Sequence, residues 1–394
     1  MRKISEEKNL KNKKILLRLD LNVPIENKKI SDPTRINKIL PTLNYLIKQN
    51  SKIIILSHVG RPKGQFDNDL SLRPICIDIK NKINQNIKFI SKNIYEINKE
   101  DLFKNTDEKV IMLENIRFYN QEEKNDYEFA KHLASLADIY VNDAFSCSHR
   151  AHASITQIAK FLPSYSGLQF QLEVNALKKI TAEIKKPITC IIGGSKISTK
   201  INIIRNLISK FDNIVIVGAM ANNIIEYMGY NIGKSLYEKN SRGIIEEIFT
   251  LSKKENCKIF YPEDIVVAKN LSGSAKNKEI DKILPDEMIL DIGEKTIEKI
   301  EKLIDESKTI FWNGPAGYFE NLNFANGSLR IAKKIVKKNN ANAIYSVAGG
   351  GDTVSLLNKL NAVNTFNFVS TAGGAFLEYL EGKQLPGITA LKKI

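Results

Sequence analysis

Ten short apolar runs, rich in β-branched residues, recur along this chain at 14–23, 52–57, 109–114, 137–142, 187–192, 213–217, 258–260, 309–312, 343–347 and 367–370. Few polar residues alternate within them, which suits strands buried on both faces and hence a parallel sheet. Segments of helical period separate the runs, so the class is α/β. Ten strands exceed what one open sheet usually carries in a chain of this size, so two sheets are expected. Nearly every run ends in glycine or a reactive polar residue. Asp20 and Asn22, residues 58–61, Arg117, Asn142 and Asp143, and residues 193–196, 313–317 and 349–352 all stand at such ends. Open α/β sheets bind ligands in the crevice at the carboxyl ends of their strands, so the chemistry is expected there.

A length of 394 residues points to two domains. The seam is expected near 167–186. Phe161-Leu-Pro-Ser-Tyr-Ser-Gly167 closes one unit with turn residues, then Leu168, Leu172, Ala176, Leu177 and Ile180 follow at helical spacing until Lys186-Pro187 stops the helix. Hydrophobic residues make up 43% of the chain, which excludes disorder as a description of the whole. The net charge is 59 − 44 = +15, yet no block of five or six like charges appears. The lysines are scattered among the Asn and Ile of an AT-rich composition, so drift is preferred to an extended nucleic-acid face. Cys76, Cys147, Cys190 and Cys257 form no Cys-x-x-Cys and no zinc-finger spacing, as expected of reduced thiols in a cytosolic protein. Residues 1–14 are charged and lack the apolar core of a signal peptide, and no run approaches the 18 apolar residues of a membrane span.

Arg18, Arg35, Arg61, Arg117 and Arg150 lie in or beside strand ends of the first half, with His58, His149 and His152 near them. Arginine presents a planar, permanently charged fork suited to phosphate and carboxylate. Any one of them alone reads as a surface ion pair; together at one mouth they make a site for a small polyanion. His132, in a helical stretch, reads as structural. The second half carries glycine and backbone amides instead. Ile191-Ile-Gly-Gly-Ser-Lys-Ile-Ser-Thr-Lys200 is expected to run from strand into helix, with Lys196 and Lys200 on one face near the helix N-terminus, where anions are favoured. Ala348-Gly-Gly-Gly-Asp-Thr-Val354 places Asp352 at a helix start, as a ligand for Mg²⁺ or an ordinary N-cap. Thr371-Ala-Gly-Gly-Ala375 repeats that theme, and Asn313-Gly-Pro-Ala-Gly-Tyr-Phe-Glu320 offers a glycine turn ending in a carboxylate. Two apparent motifs fail. Gly229-Tyr-Asn-Ile-Gly233-Lys234-Ser235 has three residues between its glycines where a Walker A loop has four, and Val354 occupies the third glycine position of a dinucleotide fingerprint. A polyanion site in one lobe and a nucleotide–Mg²⁺ site in the other describe phosphoryl transfer.

The chain resembles the phosphoglycerate kinase family over essentially its whole length and in the family's order. Arg18-Leu-Asp-Leu-Asn-Val-Pro24, Thr34-Arg35-Ile36, Ser57-His-Val-Gly-Arg-Pro62, Glu114-Asn-Ile-Arg-Phe118 and Val141-Asn-Asp-Ala-Phe145 with His149-Arg-Ala-His152 carry it in the first half. Gly193-Gly-Ser-Lys196, Trp312-Asn-Gly-Pro315, Gly349-Gly-Gly-Asp-Thr353 and the tail from Leu377-Glu to Leu385-Pro-Gly387 carry it in the second. The resemblance implies two doubly wound, Rossmann-like parallel-sheet domains: a phosphoglycerate-binding domain at 1–167, a hinge helix at 168–186, a nucleotide-binding domain at 187–375 and a segment at 376–394 returning to the first domain. It implies reversible transfer of a phosphoryl group between 1,3-bisphosphoglycerate and MgADP, with the lobes closing about a hinge at 167–186 and at 370–374. Arg18, Asp20, Leu21, Asn22, Arg35, His58, Val59, Gly60, Arg61, Arg117, His149, Arg150 and His152 are implied to bind phosphoglycerate. Gly193, Lys196, Lys200, Asn313, Glu320, Gly350, Gly351, Asp352 and Thr353 are implied to bind nucleotide, with Asp352 directed at Mg²⁺. Arg35, Lys196, Gly373 and Gly374 are implied to act on the group in flight. A cytoplasmic monomer follows from the same resemblance, with small-molecule partners and neither nucleic acid nor membrane. Ser146-Cys147-Ser148, Ala219 and Ala372 depart from the family pattern, as do Leu21 and Val59, and the loop before His149 is expected to sit differently.

Overall fold

The computed structural model describes residues 1–26, 29–104 and 106–392. Residues 393 and 394, the end of the expected returning segment, lie outside them. The chain divides into two compact units, residues 1–175 with 384–394, and residues 176–383. The division therefore falls inside the helix Leu168–Thr181, and residues 376–383 belong with the second unit.

The first unit is built on a six-stranded parallel sheet in the order Ile87–Ile90, Val110–Leu113, Lys52–Leu56, Lys14–Leu19, Ile139–Asp143, Ser164–Ser166. Both faces are covered, as the unbroken apolar runs require: Ile15, Leu16 and Leu17 are consecutive and all buried. One face packs on Ile36, Ile39, Leu43 and Leu46 of the helix Thr34–Lys48 and on Ile75 and Ile79 of Arg73–Ile83. Later strands add on one side of Lys14–Leu19 until Ile139–Asp143 adds on the other. The order of strand addition therefore reverses between these two parallel strands, with Arg18 in register with Asn142.

The second unit repeats the plan, in the order Lys258–Phe260, Asn213–Val217, Ile188–Gly193, Thr309–Asn313, Tyr345–Gly349, Phe368–Ser370. Its reversal lies between Ile188–Gly193 and Thr309–Asn313, which pair in parallel. Ile191, Val215, Ile310, Trp312 and Ala348 pack on the helices Glu294–Glu306 and Asn326–Asn340.

All ten runs seen in the sequence are strands of these two sheets. The first ends at Leu19 instead of continuing to residue 23. Sequence reasoning missed the outer strands Ile87–Ile90 and Ser164–Ser166 and a three-stranded antiparallel sheet of Asp264–Ala268, Lys276–Glu279 and Met288–Ile292. Its edge strand Lys276-Asn-Lys-Glu279 carries no apolar residue and so no periodicity to detect.

The asparagine-rich composition has a structural use. Among the described residues, eight of the nine non-glycine residues with positive φ are asparagines, including Asn50, Asn84, Asn256, Asn342 and Asn361 just beyond helix ends. Asparagine is the side chain other than glycine that enters the left-handed region most readily, and it terminates helices there. Asn84 follows Arg73–Ile83 with φ 51° and is exposed. Asn84→Ala is expected to destabilise the chain by about 1 kcal/mol while Asn84→Gly leaves it unchanged or slightly more stable; urea midpoints check this, and equal midpoints for Ala and Gly would contradict it.

Candidate active site

In the first unit the residues of interest gather beyond the carboxyl ends of Lys14–Leu19, Lys52–Leu56, Val110–Leu113 and Ile139–Asp143, four neighbouring strands, and at the start of the helix Thr34–Lys48. Arg35, in the first turn of Thr34–Lys48, reaches back with Nη1 to Asp20 Oδ1 at 3.2 Å and to the Asn22 carbonyl at 3.1 Å. Asn22 Oδ1 in turn accepts from the Gly60 amide at 2.9 Å, and the Gly60 carbonyl accepts from Arg117 Nη1 at 2.9 Å. Leu21 and Val59 are buried supports: the Leu21 amide donates to Ser57 Oγ at 3.2 Å and the Val59 carbonyl accepts from Asn115 Nδ2 at 2.8 Å. Arg61 and Arg150 are exposed at the rim, and Arg150 Nε donates to His149 Nε2 at 3.1 Å.

Arg18 differs from the other arginines. It is 1% exposed, and its donors are engaged within the protein by Ser154 Oγ at 3.0 Å, the Leu19 carbonyl, His58 Nδ1 at 2.9 Å and Cys147 Sγ at 3.8 Å. It lies beneath the mouth as support. His58 and His152 bring hydrogen-bonding capacity to it and not positive charge. Burial, reinforced by Arg18 and Arg117, pushes His58 well below its ordinary value. The same causes, with Arg117 ahead of Arg18, push His152 down to about 3. His132 stands apart, its Nε2 2.7 Å from the Ile94 carbonyl.

Two carboxylates hold this mouth from behind. Asp143 accepts from the Phe170 amide at 2.8 Å at the start of Leu168–Thr181, and burial raises its carboxyl to about 7 against hydrogen bonds from Thr42, Phe170 and Gln169. Glu122, fully buried, was not singled out in the sequence; a carboxylate inside a run of polar residues carries no signal of burial. The Ser146–Ser148 loop is anchored by the chain's own tail, where the Gly387 amide donates to the Ser148 carbonyl at 2.9 Å.

In the second unit the strand ends meet closely enough to exclude side chains. A Cβ on Gly314 would lie 2.3 Å from the Gly193 carbonyl, and one on Gly193 2.4 Å from the Pro315 carbonyl. Asn313 links the neighbouring turns: its Nδ2 donates to the Gly349 carbonyl at 2.7 Å, and its Oδ1 accepts from Lys200 Nζ. Thr353 Oγ1 accepts from the Gly314 amide at 2.7 Å. Burial pulls the Lys200 ammonium below its ordinary value.

The expected helix after Gly193 begins only at Ile201. Lys196 stands exposed in the preceding turn, and Lys200 is the N-cap, so the two do not share a helical face. Ser198 explains the delay: its amide and hydroxyl both donate to Glu238, holding the turn away from helical geometry.

A cavity of about 430 Å³ opens among these turns, lined by Gly194, Ser195, Ala219, residues 315–320 and Asp352 on its polar side. Leu236, Ile265, Leu271, Met288 and Leu290 make the apolar wall, much of it from the antiparallel sheet that sequence reasoning missed. A cavity of this size with an apolar wall and a few polar groups suits a nucleotide. Asp352 sits in the first turn of Gly351–Lys359 and Glu320 at the end of the turn from Asn313. Among the described residues no cluster of three or more His, Cys, Asp or Glu stands ready for a metal. A single carboxylate beside a phosphate site does fit Mg²⁺ that arrives with a nucleotide, since that ion takes one or two protein carboxylates plus phosphate oxygens and water. Gly373, with φ 56°, caps the helix Gly374–Leu380 at the end of the next strand.

Comparison with known proteins agrees with this geometry. A family model described as phosphoglycerate kinase matches residues 5–383. The chain is 45% identical over 390 residues to the phosphoglycerate kinase of Wolbachia sp. subsp. Drosophila simulans (strain wRi), covering 98% of both. It is 42% identical over 392 residues to that of Chelativorans sp. (strain BNC1), covering 99% of this chain and 98% of the relative. The solved structure of phosphoglycerate kinase from Coxiella burnetii superposes with a TM-score of 0.91 at 37% identity, covering 99% of this chain and 98% of that one.

The two neighbouring glycines of the 349–353 turn are under different constraints. Gly350 has φ 99° and its Cβ would lie 2.6 Å from Asn313 Nδ2, whereas a Cβ on Gly351 meets nothing within 4 Å. Gly350→Ala is expected to cost about 1–3 kcal/mol and Gly351→Ala no more than about 0.5 kcal/mol; equal urea midpoints for the two variants would contradict this.

Proposed function

The chain belongs to the phosphoglycerate kinase family, and from that premise we propose which of its residues carry each part of the reaction. It is a glycolytic kinase, transferring a phosphoryl group between 1,3-bisphosphoglycerate and ADP to give 3-phosphoglycerate and ATP. The observation that supports the assignment most is chemical division of labour. The strand ends of one unit carry arginines and those of the other carry glycine amides beside an apolar cavity.

In this proposal Arg35, Arg61, Arg117 and Arg150 bind the carboxylate and phosphate oxygens of phosphoglycerate, with Asn22 and Gly60 positioned by their mutual hydrogen bond. Asp20 holds Arg35 in place until substrate competes for it. His58, His149 and His152 contribute hydrogen bonds, and Arg18, Leu21 and Val59 support the mouth from below. The apolar wall of the cavity takes the base, Glu320 a ribose hydroxyl, and the amides around Gly193, Gly350, Gly351 and Thr353 the phosphates. Asn313 fixes Lys200, which faces the same phosphates. Asp352 would hold Mg²⁺, which supplies neutralisation of the nucleotide's phosphate charge. Lys196 and Arg35 act on the phosphoryl group in flight. Its loose transition state spreads charge over the equatorial oxygens, so two cations bind it better than either ground state. The amides around Gly373 and Gly374 are assigned to the same task. No covalent intermediate on the protein is needed.

No helix among the described residues is long and apolar enough to cross a membrane. A cytoplasmic monomer is part of this proposal on the strength of the family. Neither a nucleic-acid-binding protein nor a fold that has lost turnover is favoured.

Lys196→Ala and Arg35→Ala are each expected to lower kcat about 10²-fold, or ~3 kcal/mol, in the MgATP- and 3-phosphoglycerate-dependent direction coupled to reductive removal of the acyl phosphate. Nucleotide binding measured by calorimetry should persist in both, and 3-phosphoglycerate binding should persist in Lys196→Ala. A variant with wild-type kcat would remove that residue from the assignment.

A further inference from the structure

Beneath the arginine-lined mouth of the first unit a continuous buried relay leads to Arg18 and His58 from Glu122 and Ser154, two residues that the reaction as described does not use. Glu122 accepts from the Ser154 amide at 2.9 Å and from the Ser154 hydroxyl at 2.7 Å. Because the hydroxyl proton is committed to the carboxylate, Ser154 Oγ has only lone pairs to offer elsewhere, and it accepts from Arg18 Nε at 3.0 Å. Arg18 Nη1 donates to the Leu19 carbonyl, which leaves Nη2 to reach His58 Nδ1 at 2.9 Å. A guanidinium has no acceptor. His58 Nδ1 must therefore be the lone-pair nitrogen, and in a neutral imidazole the proton then resides on Nε2. His58 is held neutral by burial among Arg18, Arg117 and His152, so one proton position is specified.

We propose that Glu122 is a positioning residue which, through Ser154 and Arg18, holds His58 as the Nε2–H tautomer, so that the histidine offers phosphoglycerate a hydrogen-bond donor and not a competing lone pair. Each link is directional. Replacing the carboxylate by an amide lets the Ser154 hydroxyl turn, since an amide nitrogen would donate to Oγ and free its proton. Removing the hydroxyl releases Arg18 Nε and with it the aim of Nη2. Glu122 also stands 3.8 Å from His152 Nδ1, and burial raises its carboxyl above the ordinary range against the pull of Arg18, Ser154 and Arg117, so a purely structural role is the competing explanation. The benefit to phosphoglycerate rests on the proposed assignment of His58; the tautomer does not.

The test is ¹⁵N-histidine NMR of the full chain at pH 7, with steady-state kinetics, on wild type, Ser154→Ala, Ser154→Thr and Glu122→Gln. The expected result is a single Nε2–H tautomer for His58 in wild type. Ser154→Ala and Glu122→Gln should give mixed tautomers and a KM for 3-phosphoglycerate raised about tenfold, as for loss of an orienting hydrogen-bond partner. KM for ATP should not change, and Ser154→Thr, which keeps the hydroxyl, should restore the wild-type spectrum. A wild-type His58 protonated on Nδ1 would overturn the proposal without reference to any variant's folding. So would Ser154→Ala with an unchanged tautomer. A tautomer shift without any change in KM for 3-phosphoglycerate would keep the relay and remove His58 from the assigned binding site.

Discussion

A parallel sheet buried on both faces has nowhere along its strands to put polar chemistry. Lys14–Leu19 and Ile188–Gly193 are flanked on each side by hydrogen-bonded neighbours, and their successive residues are buried on both faces. Functional groups are thereby confined to the strand ends, and within each sheet to the place where strand order reverses and adjacent loops diverge. Arg18 and Asn142 flank that place in the first unit, and Gly193 and Asn313 flank it in the second. The same constraint yields two different sites because different residues stand at the two openings.

The first opening solves a charge problem. Several guanidiniums around one mouth repel one another, and a buried one needs a partner. Arg35 is held by Asp20, Arg117 lies 3.5 Å from Glu123, and buried Arg18 is linked to Glu122 through Ser154. Keeping His58 and His152 neutral avoids adding to the positive charge. The second opening solves a steric problem instead. Backbones approach until a methyl group would collide at Gly193 or Gly314, and amides exposed in this way suit an anion without any net charge of their own.

Much of this was legible in the sequence because its causes are local. Unbroken apolar runs marked ten of the twelve strands in the two large sheets, and the residues just beyond them marked both openings. What escaped was set by tertiary contact. Ile87–Ile90 is only partly buried at a sheet edge, and Lys276–Glu279 is polar throughout. Lys196 and Lys200 have helical spacing, yet Ser198 bonds to Glu238 and unwinds the turn between them. Glu122 looks like any surface glutamate until Ser154 is folded over it. The burial of Arg18 is equally invisible before the strands are paired.

The central claim is that each unit presents its own ligand chemistry at its own strand ends. Backbone amide chemical shifts of the full chain, titrated separately with 3-phosphoglycerate and with MgADP, test it most directly. The account predicts that 3-phosphoglycerate perturbs Asn22, Gly60, Arg61 and Arg150, and that MgADP perturbs Gly194, Ser195, Gly317 and Asp352. If the nucleotide instead shifted the arginine-lined mouth, or both ligands mapped to one unit, the division of labour on which the account rests would be wrong.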